Sequence, residues 1–302
     1  MFKTIVPFLF FIVCFGCSSK KPAVTADDFL SDVLNHPTKF EATECGSRYW
    51  NYNQYLVHFV SNINDENKKT APFIYVHGLG GSLEDFSEVI KAIHSGKLDR
   101  SFYAIDLPAF GKSLSHNSEI SIRKYSEMLR EFVHMLDVPK VNLVCHSMGG
   151  QVCIDFALGH PDMIQLLTLI SPAGVYQKSD YINQTLDHYV GIGVGSIDYP
   201  NAKSLGDLSW FNQEFVRKMI TNDSVALIAI DSFRDNFHKR IHELRTKTLI
   251  LWGRNDTVFS YENGLYLKEN IEDSTLYIIE GADHFPLKTH AAYISKLILQ
   301  YL

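Results

Sequence analysis

One serine in this chain stands where two backbone periodicities meet. In VNLVCHSMGGQVCIDFAL, residues 141–158, Val141, Leu143 and Val144 read as a short buried strand. Val152, Ile154, Phe156, Ala157 and Leu158 then read as a largely buried helix. No residues are left for a loop, so Ser147 must occupy the apex of a very tight turn, with the small residues Cys145 and Gly149 on either side to relieve crowding. Its side chain would project above a sheet, with a helix N-terminus just behind it. A serine placed so is a candidate nucleophile. At neutral pH its hydroxyl needs an adjacent base, and that base needs a group to fix its orientation. Charge developing on an attacked carbonyl needs preorganised donors as well. An inert serine in a strand-to-helix turn fits these residues equally well, so the rest of the chain has to decide.

The elements that must position such a site recur with a regular rhythm. Apolar runs, each followed by turn residues and a helical pattern, occur as PFIYVHG (72–78), SFYAIDLP (101–108), VNLVCHS (141–147), LLTLISPAG (166–174), KTLILWGRND (247–256) and TLYIIEGADH (275–284). Ile122, Tyr125, Leu129, Phe132 and Leu136 keep a helical stripe, and Ile294, Leu297, Ile298 and Tyr301 keep another. Alternation at Tyr55–Val60, with RYWNY before it, predicts an antiparallel hairpin ahead of these units. The fold class is α/β, a mostly parallel sheet with helices on both faces. From about 175 to 241 the rhythm breaks into helical patterns joined by GIGVGSIDYPN, which predicts a helical cap inserted before the strand at 247–256. A cap there would lie over the strand ends, where ligands bind in open parallel sheets.

The turn at Ser147 resembles the nucleophile elbow of the α/β-hydrolases, written G-x-S-x-G, with Cys145 in place of the first glycine. HGLGGS (77–82) resembles the HG-x-G turn of that superfamily, and DLPAFGKS (106–113) its D-x-P-x-x-G-x-S segment. Together with WGRND and GADHFP, these segments resemble the cap-bearing serine esterase and lipase type over roughly residues 48–302. The resemblance implies a chain order of serine, acid, histidine. It assigns the nucleophile to Ser147, the acid to Asp256 and the base to His284, each at a strand's C-terminal end. It implies backbone N–H donors for an oxyanion at Leu79 and Met148, and a turn-shaping role for the segment 106–113. Asp283 is the rival acid, although adjacent side chains in an extended loop point apart. His77 reads as a turn-stabilising histidine, and His146 points away from the position of the base.

Length and composition set the bounds. The 302 residues fit one large domain or a domain with an insertion, and a net charge of -6 with no basic stripe argues against nucleic acid as the main partner. The N-terminus differs in kind. An apolar run from Ile5 to Phe15 follows one lysine, suits the core of a secretory signal peptide and is short for a membrane span. Gly16-Cys17, then Ser18, Ser19 and two lysines, resemble a bacterial lipoprotein signal, in which Cys17 would be lipidated and become the new N-terminus. A plain signal peptide and an uncleaved anchor are the other readings. Residues 1–17 are thus a signal, 18–45 a tether with a leading helix, and 46–302 the hydrolase domain, at the bacterial cell envelope. Five cysteines suggest neither a disulfide framework nor a zinc site, and Cys145 and Cys153 read as small buried residues.

The function implied is hydrolysis of short- to medium-chain carboxylic esters, including monoacylglycerol-like lipids, without metal or cofactor. A carbon–carbon bond hydrolase shares the S-M-G-G elbow and would add an arginine, with Arg217, Arg234 and Arg240 as candidates. A cofactor-free perhydrolase and a non-catalytic binding protein on this fold are the remaining alternatives.

Overall fold

A computed structural model describes residues 46–53, 55–62, 71–94, 100–115, 120–175, 228–229, 231–232 and 235–302. The expected signal peptide and tether, and most of the expected cap, lie outside these residues. The chain divides into Met1–Pro37 and Thr38–Leu302, and every described residue belongs to the second unit.

The apolar runs become strands. After the hairpin β1 (Gly46–Tyr52) and β2 (Tyr55–Ser61) come β3 (Phe73–Val76), β4 (Phe102–Ile105), the two-residue β5 (Leu114–Ser115), β6 (Val141–His146), β7 (Ile164–Ile170), β8 (Thr248–Gly253) and β9 (Ser274–Ile279). They form one sheet in the order β1-β2-β4-β3-β6-β7-β8-β9, with β5 paired to β2. The expected hairpin forms, paired from Gly46 opposite Ser61 to Tyr52 opposite Tyr55. β2 pairs antiparallel with β4, and every pairing from β4 through β9 is parallel. Central strands covered on both faces have no polar side to show, so β3, β4, β6 and β8 are buried at every residue.

Alternation along each strand sends side chains to two cores. Ile74 and Val76 of β3, with Ile250 and Trp252 of β8, join the core beneath α2 (Ile122–Met135), α3 (Met148–Gly159) and α4 (Glu262–Asn270). Phe73, Tyr75, Leu249 and Leu251 join the opposite core, beneath α1 (Ser87–His94) and α6 (Ala291–Tyr301). A single-turn helix, α5 (Pro286–Thr289), leads into α6. The fold is that of an α/β-hydrolase. The connection from β7 to β8 is its longest, and it contains the segment expected to form the cap.

Candidate active site

Ser147 links β6 directly to α3 and adopts φ 53° and ψ −121°. This is left-handed territory that a side chain enters only at a cost of about 1–3 kcal/mol, and it persists where the surroundings over-determine it. Three backbone bonds do so. Ser147 N–H donates to Ile170 O at 3.0 Å, and Ser147 O accepts from Ala173 N at 3.0 Å and Gln151 N at 3.2 Å. Gly149 lets the helix abut the neighbouring strand: a Cβ there would lie 2.2 Å from Val76 O and 2.5 Å from His77 O. Gly78 brings the HGLGG turn equally close, since its Cβ would lie 2.9 Å from Ser147 Cβ.

The three residues expected from the chain order meet. His284 Nε2 lies 3.0 Å from Ser147 Oγ, and His284 Nδ1 lies 2.8 Å from Asp256 Oδ2. A carboxylate can only accept, so Nδ1 carries the proton and Nε2 is left to accept from the serine hydroxyl. The other carboxylate oxygen of Asp256 accepts the backbone N–H groups of Val258 at 2.8 Å and Phe259 at 2.9 Å, which fixes the acid in the loop after β8. The Asp256 side chain is wholly buried, that of His284 is 4% exposed and Ser147 is 8% exposed, so access to solvent rises along the relay toward the nucleophile. Phe259 and Phe285 form T-shaped ring pairs with His284 at centroid distances of 5.4 and 5.0 Å.

The rivals separate cleanly. Asp283 accepts Phe285 N–H in the exposed loop and closes a local turn. His77 Nδ1 donates to Gly78 O at 2.7 Å while its Nε2 accepts from Leu107 N at 3.0 Å, binding the turns after β3 and β4 together. Leu79 follows Gly78 in the turn held against the elbow, and Met148 is the first residue of α3, where backbone N–H groups have no partner within the helix. Asp106 shapes its turn as expected, accepting from Leu83 N at 2.8 Å and Lys112 N at 2.9 Å. Its partner His58, buried and 2.7 Å away, had no signal in the sequence beyond one histidine on an early strand.

Three features were missed. His146, expected to point away from the base, instead sets its ring 5.1 Å from that of His284, and its Nε2–H donates to the backbone carbonyl of His284 at 2.8 Å and so holds the loop that carries the base. Burial, reinforced by the neighbouring His284, pushes its pKa down to about 3, so it stays a neutral donor. Gln151, fully buried on α3, donates to Ser232 O at 2.9 Å and Asp235 O at 2.8 Å and accepts from Ser232 Oγ at 2.6 Å. It thereby ties the chain returning from the insertion to the helix behind Ser147. The third is a correction. Cys145 and Cys153 are not independent fillers but a disulfide, with Cα atoms 6.5 Å apart. The strand reverses so sharply into the helix that residues eight apart come within bonding reach, and the tight turn was itself the signal that could have found the pair.

The chain is similar to several known proteins. The family described as the alpha/beta hydrolase fold matches residues 71–191. A 2-hydroxy-6-oxononadienedioate/2-hydroxy-6-oxononatrienedioate hydrolase of Escherichia coli O81 (strain ED1a) is 24% identical over 264 residues, 82% of this chain and 90% of that protein. Among solved structures, a candidate lipase from Acinetobacter baumannii AYE superposes with a TM-score of 0.68 at 19% identity, covering 90% of this chain and 95% of its own. The meta-cleavage product hydrolase of Pseudomonas fluorescens IP01 gives 0.64 at 19% identity, covering 85% and 97%. At these identities the structural likenesses speak for the fold.

Proposed function

We propose that this chain is a serine hydrolase of carboxylic esters with short to medium acyl groups, acting through an acyl-enzyme. One observation carries the reading: the continuous relay from Ser147 Oγ through His284 to the buried Asp256 carboxylate, at 3.0 and 2.8 Å. In this scheme Ser147 Oγ attacks the ester carbonyl carbon as its proton passes to His284 Nε2. The resulting oxyanion is received by the backbone N–H groups of Leu79 and Met148. His284 then gives the proton to the departing alkoxide, and Asp256 stabilises the imidazolium in between. Water repeats the sequence on the acyl-enzyme and releases the acid. The apolar surroundings of the base, Phe259 and Phe285, suit an uncharged acyl chain.

A second reading, hydrolysis of a carbon–carbon bond in a vinylogous diketone, is favoured by the name of the E. coli relative. It uses the same serine and adds a cation for an acidic substrate. Of its three candidate arginines, Arg240 is taken up in an exposed ion pair with Glu243, and Arg217 and Arg234 lie outside the described residues.

The test is turnover of a p-nitrophenyl ester series, acetate to palmitate, by the chain lacking residues 1–17, beside Ser147→Ala. Serine-dependent release with an optimum in the short to medium range is expected. A folded protein silent across the series, yet cleaving a vinylogous diketone, would transfer the assignment to the second reading.

A further inference from the structure

The Cys145–Cys153 bond falls at a mechanically significant place. Cys145 lies on the central strand β6, in register with Val76 of β3 and Leu169 of β7, and so is immobilised from both sides. Cys153 lies on α3, beyond the strained Ser147. The closed covalent ring between them contains Ser147, Met148, Gly149 and Gly150. Both glycines are demanded by neighbours, Gly149 by Val76 O and Gly150 by Pro172, whose Cβ would lie 2.6 Å from an added Cβ. The price is a helix start made of the residues that hold helical geometry least well. A relaxation of Ser147 out of its positive φ would swing α3 away from β6, and the bond opposes that motion.

We propose that this disulfide is a positioning clamp for the nucleophile elbow, and that the chain reaches its working geometry in an oxidising compartment. This rests on the hydrolase reading for its catalytic consequence, but not for the clamp itself. Closure removes two protons and two electrons from the two thiols and passes them to a disulfide donor by thiol–disulfide exchange, the donor leaving as a dithiol. Both cysteines are fully buried in the core. A thiol reductant therefore has no line of attack in the folded protein, and once formed the bond acts as a permanent staple.

The experiment compares the full chain with C145G/C153A, which restores the elbow glycine of the G-x-S-x-G pattern while removing the bond. C145A/C153V is carried beside it to refill the space of the sulfurs, so that loss of the bond is separated from loss of volume. A non-reduced digest should contain Cys145 and Cys153 in one linked species. Well below the melting temperature, the amides of residues 147–152 should exchange hydrogen about tenfold faster in both variants, while those of β3 and β8 are unchanged. Labelling of Ser147 by a fluorophosphonate should slow by about the same factor. Exchange indistinguishable from the parent chain, or two free thiols in a chain secreted to an oxidising compartment, would overturn the clamp. A parent chain that shows the protected elbow but does not label at Ser147 would instead overturn the hydrolase reading and leave the clamp standing.

Discussion

His146 offers a test in which structure fixes sign and size together. Its imidazole is 1% exposed, and its pKa is pushed from the ordinary 6.5 down to about 3, chiefly by burial and secondarily by His284. The unfolded chain therefore takes up a proton near pH 6.5 that the folded chain refuses until near pH 3. Stability is fully present above the higher value, falls as pH drops through the interval, and has lost the whole contribution at its lower end. Between pH 7 and about pH 4.5 the loss assigned to this one residue is on the order of 2–3 kcal/mol. His146→Gln keeps an N–H donor for the carbonyl of His284 and has nothing to titrate. Urea unfolding of the parent and variant at both pH values gives four free energies, and the difference of differences isolates His146. His94, pushed down to about 4 by burial, and the carboxylates titrate in both proteins and cancel. The parent should lose roughly 2–3 kcal/mol more than the variant. Equal losses would refute the reasoning: His146 would then accept its proton in the fold, and burial would not be what holds it neutral.

Two further outcomes follow. Gly149→Ala places a methyl group 2.2 Å from Val76 O and 2.5 Å from His77 O, backbone atoms that cannot yield, so α3 must lift off β3. Calorimetry should show a destabilisation of about 1–3 kcal/mol, with slower ester turnover, and an unchanged melting temperature would count against the packing argument. At the other end of the chain, we propose that Cys17 is the lipidated residue of an envelope-anchored protein. Cys17→Ala should abolish incorporation of labelled palmitate and leave hydrolysis intact, and persistent incorporation would remove the anchor.

The sequence made the sheet legible because its central strands are covered on both faces. FIYV, FYAI and TLILWG are uninterrupted apolar runs, and a strand with no polar face has no other way to be written. The chain order of Ser147, Asp256 and His284 was readable for a related reason: each follows such a run, and parallel strands deliver their C-terminal ends to one edge. What could not be read were contacts made by topology. His58 meets Asp106 across 48 residues, and Gln151 reaches Ser232 across 81, with no local pattern announcing either. His146 was read as pointing away from the base, yet it lies against His284, because its use depends on where the backbone of His284 passes, which no spacing along the chain reveals.

The departure from the elbow pattern was the most informative residue and the one read most blandly. A glycine two positions before the nucleophile relieves crowding by having no side chain. A cysteine there adds a side chain, which must be accommodated, and it is accommodated by being bonded to the helix the turn produces. The substitution thus exchanges conformational ease for a covalent restraint across the same turn. Such a restraint forms only where thiols are oxidised. A signal-like N-terminus and an elbow closed by a disulfide are separate properties, one of the first residues of the chain and one of its core, and from the two together we propose a protein that works outside the reducing interior of the cell.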